Sequence, residues 1–253
     1  MNMKNVSKSN SSKGKFIVID GGDGSGKATQ AKLLIDYLKK NKIRVKYFDF
    51  PQYEKYFGKL AGRFLAGEFG SLDEVSPYLA SLTYALDRWS ESNNISNWLN
   101  SGGWIVSNRY TSSSLAHQTA KFKTKSKQNE FYDWATKLEY KELGLPKEDV
   151  VIYLQVTPTV ARKLTAKKSQ RIYIKKKMDI AEKNLKHQID SAKMYLKLSK
   201  MNNHWEVINC MAKDKSILPI ASIHEMIVQS LARKVPGLCN LQKKKTTKTK
   251  RSK

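Results

Sequence analysis

At 253 residues the chain is long enough to bury one good core, so one domain with appendages is expected rather than two. Its 47 basic and 22 acidic residues leave a net charge of +25, a field that favours anionic partners, nucleotides or polyanions alike, although a lysine-rich proteome would produce the same excess. Cys210 and Cys239 lack metal-ligand spacing and exclude a disulfide framework, no apolar run reaches membrane length, and the Asn-, Ser- and Lys-rich N-terminus lacks the apolar core of a signal peptide, so a soluble, cytoplasmic protein with no membrane partner is expected.

Residues 1–14 carry three lysines and no acid and read as a flexible basic arm. A short apolar strand at 16–20 runs into a glycine-rich stretch, and an amphipathic pattern follows. The register Gly21-x-x-x-x-Gly26-Lys27 is that of a phosphate-binding loop between a strand and a helix. Glycines let backbone N–H groups turn inward around an anion, the helix N-terminus adds partial positive charge, and the lysine reaches the outer phosphates. Gly22, Gly24, Ser25, Gly26, Lys27, Ala28 and Thr29 are therefore the candidate phosphate-binding residues. The position after the lysine ordinarily offers a Ser or Thr hydroxyl to Mg²⁺; here it is Ala28, with Thr29 next.

The helix from Lys27 carries Ala31, Leu34, Ile35 and Leu38 on one face and ends at Lys39-Lys40-Asn41. A second strand is expected over 43–50, stopping at Pro51. Four glycines lie amid apolar residues in 54–70, and 75–99 reads as one long helix with Leu79, Leu82, Leu86 and Trp89 in register. Gly102-Gly103 turns into a third strand at 104–107. Residues 111–143 read as mostly helical, with a Lys-rich break at 121–129. The fourth strand, 150–156, is nearly all apolar, as expected when both sheet faces are covered. Residues 162–178 are dense in Lys and Arg. A helix with Leu185, Ile189, Ala192 and Leu196 follows, then a fifth strand at 205–210 and a last helix over about 219–232. The Lys-rich stretch 236–253 is too polar to fold. Five apolar strands alternating with helices predict an α/β protein of the three-layer P-loop NTPase fold, a five-stranded parallel sheet with helices on both faces, occupying 15–235.

Four short motifs outside the loop glycines narrow the reading: Asp23 inside the loop, Phe50-Pro51-Gln52-Tyr53 at the end of the second strand, Tyr84-Ala85-Leu86-Asp87-Arg88-Trp89 on the long helix, and Ser107-Asn108-Arg109-Tyr110 at the end of the third strand. In this order and spacing they resemble the thymidylate kinase family of P-loop nucleoside monophosphate kinases, over about Lys15 to Lys234. The resemblance implies transfer of a phosphoryl group from ATP to dTMP, with Mg²⁺, on the way to dTTP. It also implies a role for each matching residue. Asp23 would bond the sugar 3′-hydroxyl and lie near the metal, with Thr29 as a second metal candidate. Tyr84 would stack on thymine and Arg88 would bond a base carbonyl; positions i and i+4 share a helix face, so both can address one planar base. Phe50 would wall the base pocket and Tyr53 would bond the acceptor phosphate. Arg109 would clamp that phosphate, a task suited to a permanently charged bidentate fork. Ser114 and His117 fall near the base and sugar edge.

Gly24 stands where some relatives carry a loop arginine, and the resemblance implies that members lacking that arginine, as here, place catalytic cations in a lid, here about 162–183. Arg171 is the candidate, ahead of Lys167 and Lys168. Lys27, Arg109 and Arg171 are thus the expected catalytic set. Two departures stand out: Ala28 lacks the metal-binding hydroxyl, and Asn108 replaces the aspartate the family usually has before Arg109. The family usually forms homodimers, and the apolar stripe at 75–89 offers such a face, or equally packs on its own sheet. Two other readings stay open: a kinase of another nucleoside monophosphate or nucleoside, and a weakened P-loop protein that binds nucleic acid through its charge, with the basic tail as a non-specific polyanion contact.

Overall fold

A computed structural model describes residues 13–171, 180–235 and 238, without the side chains of 166–171, 182 and 183. Strands β1 (Phe16–Gly21), β2 (Val45–Asp49), β3 (Trp104–Asn108), β4 (Val150–Gln155) and β5 (Trp205–Asn209) form one sheet, all parallel, in the order β2-β3-β1-β4-β5. The helices are α1 (Lys27–Lys40), α2 (Tyr56–Ala66), α3 (Pro77–Trp89), α4 (Ser92–Asn100), α5 (Thr111–Thr119), α6 (Lys125–Lys137), α7 (Pro158–Arg171), α8 (Ile180–Lys183), α9 (Leu185–Met201) and α10 (Ile220–Lys234), with a π-helical turn at Leu138–Glu142 after α6.

The period-2 alternation of β1 explains the layering. Ile17 and Ile19 pack with Leu34 and Leu38 of α1 and Ile223, Ile227 and Leu231 of α10. Phe16 and Val18 face the other way, against Ile95, Leu115, Phe131 and Tyr195 from α4, α5, α6 and α9. Both faces of the sheet are therefore covered, and the five-stranded α/β sandwich matches the fold expected from the sequence. A smaller cluster, Phe64, Leu72, Val75 and Ala80, holds α2 against α3 beyond the carboxyl ends of the strands.

Several local boundaries differ from expectation. The second strand is shorter, and the chain leaves it through a cis Phe50–Pro51 bond. Residues 54–70 contain a helix, α2, in which Gly58 is required by close approach: a side-chain carbon there would lie 1.9 Å from the Gln52 carbonyl oxygen. The single helix expected over 75–99 is two. Ser90 donates its hydroxyl to the Asp87 carbonyl at 2.7 Å and Glu91 N–H bonds back only to Arg88 O, which tightens the last turn of α3 before α4 begins. The apolar stripe of α3 does not pack on the sheet: Leu79, Leu82 and Trp89 are 52%, 36% and 44% exposed, while Ala80, Thr83, Asp87 and Arg88 turn inward. Gly14, the last residue of the expected arm, is buried and donates its N–H to Leu99 O at 2.8 Å. Residues 1–12, 172–179 of the expected lid, and 236–253 of the tail apart from Leu238 lie outside the described residues.

Candidate active site

β1 ends at Gly21 and α1 begins at Lys27, so residues 22–26 wrap the start of a helix whose first amides lack intrahelical acceptors. Gly24 has φ +79°, and a side-chain carbon there would come within 2.3 Å of the Ala161 carbonyl oxygen on α7. Only glycine fits. Lys27 is buried; its Nζ donates to Gly22 O at 2.8 Å and lies 3.7 Å from Asp23 Oδ1. Burial, reinforced by the nearby Arg109 charge, pushes the Lys27 ammonium down to about 8. Ser25 is buried in the loop, whereas Gly26, Ala28 and Thr29 are exposed around the first turn of α1.

Arg109, at the end of β3, adopts φ +63° and pairs with Asp23 through Nη2. Its Nη1 lies 3.9 Å from Asp20 Oδ1. Burial alone would raise the Asp23 carboxyl, but Arg109 and then Lys27 outweigh it and hold the group well below the usual carboxylate range. Burial works against the Arg109 charge in the same way, and Asp23 overrides it, raising the guanidinium. Asp20 is fully buried and saturated: Gly21 N–H, Ser112, Ser113 and Tyr195 all donate to it, at 2.5–2.9 Å.

On the far side of Asp23 and Arg109 opens a cleft of about 660 Å³, counted with its mouth, and it runs between α2, α3 and α5. Asp23, Phe50, Tyr53, Tyr84, Arg88, Arg109, Ser114 and His117 all border it. Phe50 is buried against Tyr110, with ring centroids 5.7 Å apart; Tyr53 is 44% exposed at the mouth; Tyr84 stands edge-on to Phe64 at 6.2 Å. Arg88 is buried and locked: Nε and Nη2 donate to the Glu139 carboxylate, Nη2 also reaches Ser114 Oγ at 3.0 Å, and Nη1 approaches Tyr110 O at 3.4 Å. His117 Nδ1 meets His187 Nε2 of α9 at 3.3 Å, and burial pushes the His187 imidazole down to about 4. The structure thus gathers eight candidates around one cleft and sets the loop candidates beside it. Ala28 and Thr29 stay outside the cleft lining, and the Arg171 side chain is outside the described residues.

Four further residues emerge only here. Glu139 orients Arg88 from 51 positions away, a contact with no periodic signal. Asp20 carries one sequence signal, an acid at the end of an otherwise apolar strand. Gln118, one helical turn beyond Ser114, lines the cleft with its Oε1 unpartnered among the described residues. Asp49 accepts a hydrogen bond from Asn108 Nδ2 at 2.8 Å.

A phosphate loop on β1–α1, a second cleft facing it, and an arginine between them define a P-loop protein of the nucleotide-kinase class. Among the solved structures, a thymidylate kinase from Candida albicans shares the fold, with a TM-score of 0.64 over 87% of this chain and 92% of that one, at 22% identity. The thymidylate kinase family model matches residues 19–218, and the chain belongs to that family. Curated thymidylate kinases from Plasmodium falciparum, Schizosaccharomyces pombe and Homo sapiens are 36%, 31% and 30% identical over 59%, 60% and 57% of this chain. Those alignments span 65%, 66% and 62% of the relatives, just under two thirds of their length.

Proposed function

We propose that the protein phosphorylates dTMP to dTDP at the expense of ATP. The observation that carries this reading is the cleft itself: an aromatic and a buried arginine, Tyr84 and Arg88, sit one turn apart on its wall, and Arg109 joins it to the phosphate loop. In this reading the base lies between Phe50 and Tyr84 and meets Arg88, which Glu139 holds in one orientation. Ser114 and His117 edge the base and sugar, and Asp23 meets the sugar hydroxyl. Tyr53 and Arg109 hold the acceptor phosphate. Loop amides and Lys27 hold the ATP phosphates, and Arg171 supplies a lid cation. An acceptor phosphate oxygen attacks the γ-phosphorus, the bond to the β-phosphate oxygen breaks, and ADP leaves with the electron pair. Alignment and charge screening do most of the work in such a transfer.

Among the described residues no three His, Cys, Asp or Glu side chains form a metal cage. Mg²⁺ in phosphoryl-transfer sites is bound through nucleotide phosphates and one or two protein oxygens. The donors near the loop are hard oxygens, Asp23 and the exposed Thr29 hydroxyl, and we assign them to the metal. When bound, Mg²⁺ neutralises charge on the donor phosphates.

We further propose a homodimer through the exposed stripe of α3, a cytoplasmic location consistent with the unpaired buried thiol of Cys210, and loose polyanion contact through the basic tail. Among the described residues no helix is long and apolar enough to cross a membrane. The test is ATP consumption coupled to dTMP, with other nucleoside monophosphates in parallel. Turnover with dTMP is expected, reduced at least about a hundredfold in Lys27→Ala, which removes a phosphate-directed charge from a dry site. Turnover with every other nucleoside monophosphate but not with dTMP would overturn the assignment.

A further inference from the structure

The acids around the phosphate loop differ in what they have left to offer. Asp20 is fully buried and receives four donors. Asp23 is paired with Arg109 and lies beside Lys27. Asp49 is the exception. It stands at the carboxyl end of β2, in register with Asn108 of β3, at the same end of the sheet as the loop. It is exposed, and its oxygens accept only neutral donors, Asn108 Nδ2 at 2.8 Å and the Tyr47 hydroxyl at 3.0 Å. Among the described residues no cation lies within ion-pair distance of it. Its charge acts on Lys27 only weakly, after burial and the charges of Arg109, Asp23 and Asp20.

Asp49 lies two strands from β1 and its loop in the order β2-β3-β1, and a carboxylate without a countercharge at that range repels a polyphosphate unless a cation lies between them. The Oδ1 of Asn108, next to Asp49, is also buried and without a partner among the described residues. The loop itself is short of one such ligand, because Ala28 carries no hydroxyl where phosphate loops ordinarily hold Mg²⁺.

Resting on the nucleotide-kinase reading above, we infer that Asp49, steered by the Asn108 amide, is a second carboxylate, beyond Asp23, that holds the hydrated divalent cation of the donor nucleotide. Asn108 is then a positioning residue: its amide fixes one Asp49 oxygen and leaves the carboxylate charge available. The metal-directed charge sits on β2, one strand over from Asn108.

The test is the affinity of the full chain for ATP with and without Mn²⁺ as the probe cation, read by calorimetry and by the paramagnetic signal of free Mn²⁺. Asp49→Asn should bind metal-free ATP more tightly, having lost a repulsive charge. It should bind Mn²⁺–ATP about tenfold more weakly, the usual scale for losing an oxygen partner of a bound metal. A purely structural role moves both affinities the same way. Asp49→Asn/Asn108→Asp, with the carboxylate returned at hydrogen-bond distance on the neighbouring strand, should recover most of the metal dependence. Melting temperatures of both variants check that the sheet edge is intact. Affinities that fall together, or a metal dependence unchanged in Asp49→Asn, overturn the inference and leave the kinase reading standing. An unaltered chain that does not bind ATP overturns both.

Discussion

Lys27 is held charged by its neighbours and discouraged by its surroundings, and the balance falls inside the accessible pH range. With the ammonium pushed down to about 8, the nucleotide-free protein loses the Lys27 proton as pH rises through that value. A polyphosphate stabilises the protonated form, so ATP binding above about pH 8 takes up a proton and weakens as pH increases. The expected kcat/KM for ATP is therefore level below about pH 7 and falls by about tenfold per pH unit well above pH 8. Lys27→Arg, whose guanidinium does not titrate, should abolish that alkaline limb even where it lowers the absolute rate. Initial rates from pH 6 to 10 at limiting ATP measure it; a flat profile in the unaltered chain would mean that Lys27 is not desolvated. Asp23 adds no opposing limb in this range, because its carboxyl lies well below the usual values.

At the scale of elements, Arg88 and Glu139 tie α3 to the π turn that follows α6. Both side chains are nearly inaccessible, 3% and 1% exposed, and Thr111 from α5 donates to the same carboxylate at 3.0 Å. Removing one member strands a charge in a dry site, whereas removing both leaves an apolar gap. Glu139→Leu is thus expected to lower stability by about 3–5 kcal/mol, and Arg88→Leu/Glu139→Leu to recover most of that loss, with urea unfolding midpoints as the readout. A Glu139→Leu midpoint equal to that of the unaltered chain would show that Arg88 finds another partner. This pair also marks where the sequence stops being informative. The loop was legible because its geometry is local: glycines, lysine and helix start are adjacent. The central strands β1, β3 and β4 were legible because burial on both faces leaves an apolar run. Tyr84 and Arg88 shared a visible helix face, yet the carboxylate that orients Arg88 comes from a π turn with no pattern of its own. The break between α3 and α4 turned on a hydroxyl bond at Ser90, which periodicity does not register. Leu79, Leu82, Leu86 and Trp89 all fall on α3, but a period alone does not say whether the stripe faces a sheet or a partner.

For the whole molecule that last question becomes one of association. The exposed stripe of α3 is continued on α2 by Tyr56, 78% exposed, and by Phe57, whose ring packs edge-on against Trp89 at 6.2 Å. A patch of this kind on one helix face suits an isologous contact, in which each copy presents the same helix to the other. Opposing it is the charge of +25 on every copy, which repels at long range and is screened by salt, whereas apolar burial is not. The two forces predict opposite salt responses for the two kinds of association proposed here. Dimerisation should strengthen between about 50 and 300 mM salt as repulsion is screened, while polyanion contact through the tail should weaken over the same range. Sedimentation velocity of the full chain at both ionic strengths reads the first directly. Leu82→Asp, which places a carboxylate in the middle of the stripe and outside the cleft lining, should sediment as a monomer at both and keep the same melting transition at low concentration. A Leu82→Asp chain that still dimerises would move the interface elsewhere, and an unaltered chain that stays monomeric at both salt concentrations would leave the α3 face to some other partner.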